Sequence, residues 1–282
     1  MLEIVKSGLY TSLQDKGRFH VSHLGVPVSG FMDSISANDA NRMLSNDLKS
    51  SVLECTVMGP ELLFHKPTAI AIAGAVIQPF INGEPSFINK VLKIHAGDSL
   101  TFGKIVKGAR FYIAVRGGFL GDEIMNSQST CITSSILSLL TKRDRITYAD
   151  YDGYFEQPPL FLRNVGKKTI ELQKGPEYQM LEDTTPNLKQ LFQALFTVMP
   201  ESNRMAYRVR HDVDLKHKIS IISSATMPGT VQLTPGGDLI FLMKDAQTTG
   251  GYPRVFQLTE QGICDLAQMK PGEQCRVVER AF

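Results

Sequence analysis

The 282-residue chain carries 30 Lys and Arg against 28 Asp and Glu, so its formal net charge at pH 7 is +2. Hydrophobic residues make up 43% and charged residues 21%, values close to the globular average. The small net charge argues against nucleic acid or an anionic membrane as a partner. The length allows one large domain or two smaller ones, each able to bury a core, and leaves a small polar substrate open.

Cysteine use and hydropathy predict a soluble, cytoplasmic protein with reduced thiols. The chain begins without a basic stretch leading into an apolar signal core, and no apolar run approaches the roughly 20 residues that cross a bilayer. Even "TAIAIAGAVIQPFI" is interrupted by Gly74, Gln78 and Pro79. No C-x-x-C pair occurs among the four cysteines, which are Cys55, Cys131, Cys264 and Cys275.

The predicted elements are mostly strands. In chain order, a helix is predicted from about Ser34 to Leu44 behind Asp33 as N-cap, followed by the strands "TAIAIAGAVI" and "ARFYIAVRG". A second helix is predicted over "TPNLKQLFQALF", where Thr185 caps it and Pro186 occupies the first turn. The strands "KISIISSA", "DLIFLM" and "CRVVE" follow. This pattern is typical of a β-barrel or sandwich.

A faint internal repeat predicts two related β-domains. The strings "P-x-S-x-x-M" (Pro27 to Met32), "VMGPELLF", "TAIAIAGA" and "HAGDSLTF" recur in the same order as "P-x-S-x-x-M" (Pro200 to Met205), "TMPGTVQL", "DLIFLMKDA" and "KPGEQCRV". The alternative is that turns and apolar strands look alike in any β-protein. We predict duplication, with domains over residues 1–165 and 166–282 and a join near "EQPPLFLRNVGKK".

The stretch from Thr11 to Asp33 is rich in polar groups. Asp15 and Arg18 form either a surface ion pair or an anchored guanidinium fork that binds a carboxylate or phosphate. Ser29 lies outside a G-x-S-x-G elbow, which disfavours a serine-hydrolase triad. His20 and His23 have no completing ligands nearby in the sequence, so no metal site is predicted.

Two further stretches are candidates for ligand binding. In "KDAQTTGGYPR", adjacent glycines allow close backbone approach to a ligand, although a glycine hairpin followed by an edge strand is the alternative. In "PESNRMAYRVR", strand alternation would place Arg204, Arg208 and Arg210 on one side as a positive strip; the alternative is a solvated strand face. Neither a G-x-x-x-x-G-K-[ST] loop nor a G-x-G-x-x-G fingerprint occurs.

The ordered strings "LQDKGRFHVSHLGVPVSGFMDSISANDANRML", "LECTVMGPELLF", "AIAGA", "AVRGGF", "GPE", "SNRMAYR" and "QTTGGYP" resemble the biotin-dependent carboxyltransferase / allophanate hydrolase subunit 2 family. Within it, the chain is most similar to the branch formed by the C subunit of 5-oxoprolinase, also described as the KipA type. The resemblance spans essentially the whole chain. It implies a mainly β fold of two related cyclophilin-like β-barrel domains with a few short helices.

The resemblance also implies an activity that requires partner chains. The C subunit works with the B subunit (KipI type) and the A subunit in the ATP-dependent opening of 5-oxo-L-proline to L-glutamate. On that scheme the B and C subunits phosphorylate the lactam, sharing ATP between them, and the A subunit completes the hydrolysis. The chain is therefore expected to be part of a hydrolase that acts on a cyclic amide only in the complex.

The signature positions of the family define the expected site. Two departures from the family pattern are Ala206, where glycine is usual, and Glu177, where glutamine is common. The expected catalytic residues are Asp15, Arg18, Ser29, Asp33 and Arg204. The expected substrate-binding residues are Gln14, Gly30, Arg208, Gln247, Thr248, Thr249, Gly250, Gly251 and Tyr252.

Two alternative functions stay open at this point. A KipA-type regulator would bind an inhibitory partner protein without turnover. A carboxyltransferase component of the allophanate or urea carboxylase type would transfer carboxyl groups from biotin. The chain contains no biotin attachment site of its own, since "LAQMKPGE" lacks the flanks of such a segment, so a carrier would have to come from another chain.

Overall fold

A computed structural model describes residues 1–149 and 163–280. The chain divides into two compact units. The first unit comprises Met1–Arg18 and Ser29–Val165, and the second comprises Phe19–Val28 and Gly166–Phe282. The short segment Phe19–Val28 thus groups with the second unit, although the sequence placed it in the domain 1–165. The predicted join lies partly outside the described residues, and the domain ranges stay a prediction.

The first unit contains a seven-stranded and a five-stranded sheet. Their orders are β11-β12-β1-β4-β9-β6-β7 and β2-β3-β10-β5-β8. The strands are β1 Leu2–Lys6, β2 Tyr10–Gln14, β3 Val52–Thr56, β4 Glu61–Phe64, β5 Thr68–Val76, β6 Pro79–Ile81, β7 Glu84–Pro85, β8 Val91–Ile94, β9 Ser99–Phe102, β10 Lys107–Val115, β11 Phe119–Leu120 and β12 Arg145–Tyr148. Helix α1 spans Ser34–Met43, and a short 3-10 helix spans Ile132–Ser134.

The five-stranded sheet is covered on both faces. Large and small apolar residues alternate along β5, so its two faces contribute to two different core clusters. Ile70 and Ile72 belong to the main core cluster of the first unit. Ala69 and Ala71 belong instead to the cluster that includes α1. Small side chains on that face let the helix approach the sheet closely, and burial on both faces explains why β5 reads as one continuous apolar run.

The second unit forms a closed barrel of seven strands in the order β13-β20-β17-β18-β15-β14-β21. Two further strands, β16 and β19, pair with each other. The strands are β13 Thr169–Lys174, β14 Phe196–Val198, β15 Ala206–Arg210, β16 Ser224–Ala225, β17 Thr230–Leu233, β18 Leu239–Leu242, β19 Thr249–Gly250, β20 Arg254–Leu258 and β21 Gln274–Glu279. Helices α2 Tyr178–Glu182 and α3 Glu260–Ala267 and the 3-10 helices Ser22–Leu24 and Leu188–Phe192 complete it. The mainly β prediction is confirmed, whereas the cyclophilin-like assignment stays a prediction.

Local predictions had mixed outcomes. The helix behind Asp33 is confirmed as α1, but the helix over "TPNLKQLFQALF" is wrong. There the chain makes only a 3-10 helix, because Phe196 is drawn into the barrel as the first residue of β14. The strand over "KISIISSA" is also wrong except for its last two residues, which form β16.

Helix α3 was missed because Gly262 lies in its first turn, and glycine lowers helix propensity. A Cβ at this position would sit 2.1 Å from the carbonyl oxygen of Glu171 on β13. The glycine therefore allows the helix to pack directly on the barrel backbone. None of the helices in the described ranges is long and apolar enough to cross a membrane.

The repeated strings fold alike in part. "VMGPELLF" and "TMPGTVQL" both end in strands, β4 and β17, and the two later pairs of strings also coincide with strands. The two copies of "P-x-S-x-x-M" differ, since the first precedes α1 and the second precedes β15. The first "P-x-S-x-x-M" thus has no counterpart of the same local structure in the second unit.

Candidate functional site

Asp15 follows β2 and fastens a neighbouring loop. Its Oδ1 accepts hydrogen bonds from Gly17 N at 2.8 Å, Ser127 Oγ at 2.6 Å and Ser129 Oγ at 2.5 Å. Its Oδ2 accepts from Gln128 N at 2.7 Å. A carboxylate with four donors holds its loop rigidly, because charge-assisted hydrogen bonds are stronger than neutral ones.

Arg18 binds the same neighbouring loop as Asp15. Its side chain has no solvent exposure, and it donates to the backbone carbonyls of Ile124 and Ser129. Asp15 is only 9% exposed, so the interpretation of Asp15 and Arg18 as a surface ion pair is wrong. Gln14 is also fully buried, and its amide donates to a backbone carbonyl of the same neighbouring loop at 3.1 Å.

Ser29 and Gly30 lie against the backbone of Asp15 and Lys16. Both have positive φ, 57° for Ser29 and 85° for Gly30. A Cβ on Gly30 would lie 2.8 Å from the carbonyl carbon of Lys16, so only glycine fits there, and Phe31 N donates to Asp15 O at 3.0 Å. Ser29 Oγ is buried and has no hydrogen-bond partner among the described residues. Such a hydroxyl is a candidate for contact with a ligand or a partner chain.

Asp33 caps α1 and also neutralises a buried arginine. Its carboxylate accepts from Ser36 N at 3.1 Å and from Ser36 Oγ at 2.7 Å, and it pairs with the Arg163 guanidinium. The Arg163 backbone amide donates to Asp39 on the same helix at 3.1 Å. Burial raises the pKa of Asp39 above its usual range, against the opposing effect of the hydrogen bond from Arg163.

Sequence reasoning missed two residues beneath this loop, Glu54 on β3 and Tyr112 on β10. Glu54 Oε2 accepts from Met32 N at 2.8 Å, and the Tyr112 hydroxyl accepts from Asp33 N at 2.7 Å. Burial, together with the charges of Glu54 and Asp33, raises the pKa of Tyr112 well above its usual range. The available signal was an acid inside the apolar strand "VLECT", since a buried carboxylate needs partners.

In the second unit, Arg204 is held by a buried bidentate pair. Its Nε lies 2.9 Å from Asp245 Oδ2 and its second terminal nitrogen lies 3.0 Å from Oδ1. Arg204 precedes β15 and is 5% exposed, whereas Arg208 and Arg210 on that strand are exposed. The predicted strip of three arginines is therefore wrong, because Arg204 faces Asp245 and only two arginines share the exposed face.

Arg208 and Arg210 line a cleft of about 480 Å³ in the second unit. Neither guanidinium forms an ion pair within the described residues, so both charges are available to a ligand. Tyr252, which is 43% exposed, lines the same cleft. Burial lowers the pKa of His211 in the cleft wall. The acidic residues of the lining are Glu201, Asp214 and Asp238.

The "QTTGGY" segment forms a small strand pair. Strand β19, which contains Thr249 and Gly250, pairs with β16, and Thr248 accepts from Thr226 N at 3.0 Å through its carbonyl. Gly251 is exposed at the end of this segment. The alternative of a glycine hairpin followed by an edge strand is wrong, because β19 pairs with the distant β16 and the following strand β20 is paired on both sides in the barrel. Ligand contact by this segment stays a prediction.

Gln247 and Gln232 lie between this segment and the barrel. Their side chains are 3.5 Å apart, and Gln232 Nε2 donates to the Tyr252 carbonyl at 3.3 Å. A Cβ on Gly250 would lie 2.3 Å from Gln232 Nε2, so a larger residue there would displace the Gln232 side chain. The Oε1 of Gln247 is buried without a hydrogen-bond partner in the described part of the chain. Gln247 therefore offers an acceptor for a ligand donor.

Glu177, the acid at a position where the family commonly has glutamine, forms a bidentate pair with Arg254. Its Oε1 accepts from an Arg254 terminal nitrogen at 2.7 Å, and its Oε2 accepts from Nε at 3.0 Å and from the backbone amide at 2.9 Å. These hydrogen bonds lower the pKa of Glu177, against the effect of burial. The extra negative charge thus stabilises local structure.

Replacing Glu177 with glutamine is expected to lower the free energy of unfolding by about 1 kcal/mol at pH 7. The folded-state pKa of Glu177 is lowered, so its contribution is present above pH 4.5 and is lost as the pH falls through the folded pKa. Urea unfolding of wild type and variant from pH 7 to pH 3 measures this. A difference between them that does not shrink with acidification would contradict the assignment.

Metal and thiol chemistry find no support in the described residues. They contain no group of three or more His, Cys, Asp or Glu side chains that could hold a metal ion. All four cysteines are free and buried, and burial raises the pKa of Cys275 to about 12. A thiol with such a pKa is not a nucleophile near neutral pH.

Residues 24–279 match the carboxyltransferase domain, subdomain A and B. The chain belongs to this family. This carboxyltransferase-family chain is 29% identical to the C subunit of 5-oxoprolinase from Escherichia coli, over 99% of the chain and 91% of that protein. It is 41% identical to urea amidolyase of Lachancea kluyveri, over 99% of the chain but 17% of that protein.

Solved structures share the fold of this carboxyltransferase-family chain. The protein TTHA0988 superposes with a TM-score of 0.89 at 24% identity, over 98% of the chain and 55% of TTHA0988. The K. lactis urea amidolyase superposes with a TM-score of 0.87 at 25% identity, over 99% of the chain and 19% of that enzyme. The chain therefore spans about half of one solved relative and about a fifth of the other. In both solved structures the matching region is part of a longer polypeptide.

Proposed function

We propose that the chain is one subunit of an ATP-dependent 5-oxoprolinase that, with its partner B and A subunits, phosphorylates and opens 5-oxo-L-proline to L-glutamate. The observation that carries the proposal is the match to the C subunit of 5-oxoprolinase, which covers 99% of this chain and 91% of the relative. A chain of the same extent serves as a separate subunit there, whereas in urea amidolyase the matching region is 17% of one polypeptide.

The chemistry requires a site that binds a small anion and acts on an amide. The lactam carbonyl is a poor electrophile, and phosphorylation of its oxygen creates a good leaving group before water attacks. On our proposal ATP is shared with the B subunit, and the A subunit completes the hydrolysis. In this chain the guanidinium of Arg208, which lines the cleft of the second unit, binds the substrate carboxylate. Gln247 is not part of that lining, and its Oε1, which has no hydrogen-bond partner among the described residues, is a separate acceptor.

The remaining expected residues receive more limited roles in this proposal. Arg18 holds local structure in the first unit and Arg204 does so in the second. Neither binds the anion, because their guanidinium groups are buried against backbone carbonyls and Asp245 respectively. Asp15 holds its own loop through four hydrogen bonds. Ser29 and Asp33 belong to the loop that precedes α1, where the buried Ser29 hydroxyl has no hydrogen-bond partner among the described residues.

Replacing Arg208 with alanine is expected to lower kcat/KM for 5-oxoproline in the reconstituted complex by roughly 10- to 100-fold, mainly through KM, since a charge-assisted hydrogen bond to the substrate is lost. The measurement is 5-oxoproline-dependent phosphate release. Arg276→Ala is the matched control, because Arg276 is an exposed strand arginine outside the cleft. Equal kinetics for the two variants would remove Arg208 from the site.

A second candidate function is carboxyl transfer from biotin, favoured by the 41% identity to urea amidolyase. The experiment that separates the two offers the purified complex either 5-oxoproline with ATP or urea with a carrier whose biotin is already carboxylated. We expect phosphate release with 5-oxoproline and no transfer of the carboxyl group from the carrier to urea. Formation of carboxylated urea, with free biotin left on the carrier, would favour carboxyl transfer instead, and tight partner binding without turnover of either substrate would favour the regulatory function.

A further inference from the structure

Glu54 and Tyr112 form a buried polar pair that the proposed chemistry does not use. They are direct register partners across β3 and β10, and neither has any solvent exposure. The Tyr112 hydroxyl donates to Glu54 Oε2 at 2.9 Å, and Arg110 Nε lies 3.8 Å from Oε1. Burial costs a carboxylate its hydration, so a buried acid is kept where it has hydrogen-bond partners. The partners of this pair include two backbone amides of the loop that precedes α1.

The pair fixes two consecutive backbone amides of the loop that precedes α1. Met32 N donates to Glu54 Oε2 at 2.8 Å, and Asp33 N donates to the Tyr112 hydroxyl at 2.7 Å. These two buried acceptors lie on paired strands of the five-stranded sheet and thereby determine the position of the loop backbone. The same loop contains Ser29, whose buried hydroxyl has no hydrogen-bond partner among the described residues.

We propose that Glu54 and Tyr112 are positioning residues, which hold the backbone of residues 29–33 in the conformation that the reaction of the complex requires. Both lie beneath the loop, with their polar atoms on its amides, so they act through it and do not touch substrate. This inference rests on the proposed function. To the proposed function it adds two sheet residues that set the geometry of the loop before α1.

The test compares two buried tyrosines of the first unit. Tyr112→Phe removes the acceptor for Asp33 N, whereas the control Tyr148→Phe removes a hydrogen bond of 2.6 Å to the carbonyl of Lys66. We expect both variants to lose similar thermal stability. In the reconstituted complex Tyr112→Phe should lower kcat by about tenfold or more with little change in KM, because small misplacements of a site are costly. Tyr148→Phe should stay within about twofold of wild type.

Glu54 gives a second, graded comparison. Glu54→Gln keeps an oxygen that can accept from Met32 N, whereas Glu54→Leu removes every acceptor. Glutamine should therefore retain much more kcat than leucine at similar stability. Equal kcat values for Tyr112→Phe and Tyr148→Phe, or for the two Glu54 variants, would overturn the positioning role.

Amide hydrogen exchange separates failure of this inference from failure of the proposed function. In the full chain, Tyr112→Phe should speed exchange in the peptide covering residues 29–36, and Tyr148→Phe should not. A wild-type complex without 5-oxoproline-dependent activity would refute the proposed function and the catalytic part of this inference. Unchanged exchange in Tyr112→Phe would refute the positioning of the loop itself, whatever reaction the complex catalyses.

Discussion

Replacing Asp245 with alanine is expected to lower the free energy of unfolding by about 3 to 5 kcal/mol, because it leaves the buried Arg204 guanidinium without its bidentate partner. The side chains of Arg204 and Asp245 are 5% and 2% exposed, so water cannot replace the lost contacts without opening the second unit. Urea unfolding followed by circular dichroism measures the effect.

Two further variants make this prediction specific. Glu61→Ala breaks the ion pair with Lys6, whose side chain is 75% exposed, and should cost less than about 1 kcal/mol. The double variant Arg204→Met with Asp245→Leu removes both charges and should recover much of the stability that Asp245→Ala loses. A cost for Asp245→Ala no larger than that for Glu61→Ala would show that the Arg204 pair does not stabilise the second unit.

Replacing Asp33 with alanine is expected to lower the free energy of unfolding by about 3 to 5 kcal/mol, well beyond the roughly 1 kcal/mol of a lost N-cap. The additional loss arises because the Asp33 side chain has no exposure and pairs with Arg163, which is 7% exposed. From the sequence alone, only the cap was expected to be lost. Urea unfolding again provides the measurement.

Thr259→Ala is the matched control for the cap alone. Thr259 caps α3 by accepting from Gly262 N at 3.0 Å, and its loss should cost about 1 kcal/mol. If Asp33→Ala lowered the free energy of unfolding no more than Thr259→Ala does, Arg163 would have found other partners once Asp33 was removed. A second variant, Asp33→Asn, keeps the cap but not the charge, and should fall between them.

Local patterns in the sequence predicted some elements of the fold correctly, whereas elements that depend on tertiary packing were predicted wrongly or missed. The cap at Asp33 and the apolar runs of β5 and β10 are local patterns, and each was predicted near its observed bounds. The helix over Thr185 to Phe196 failed because a barrel position for Phe196 outweighed local helix periodicity. Helix α3 was missed because Gly262 lowers helix propensity. The reason for this glycine is its close approach to the Glu171 carbonyl, which only the folded structure shows.

The candidate site was predictable by residue type but not by role. Asp15, Arg18 and Arg204 were named from their chemistry, yet the structure buries all three against partners far away in the sequence. Hydrogen bonds between residues so distant along the chain leave no local pattern. Glu54 and Tyr112 were missed for the same reason, since their pairing depends on the register of β3 with β10.

The most direct test of the central claim is an add-back measurement of L-glutamate formation from 5-oxoproline and ATP. The partner A and B subunits are combined with no third chain, with this chain, or with its Arg276→Ala control. Glutamate should form only when this chain or the control is added, and its amount should match the phosphate released. Glutamate formation at the same rate without this chain would contradict the claim that it belongs to a 5-oxoprolinase.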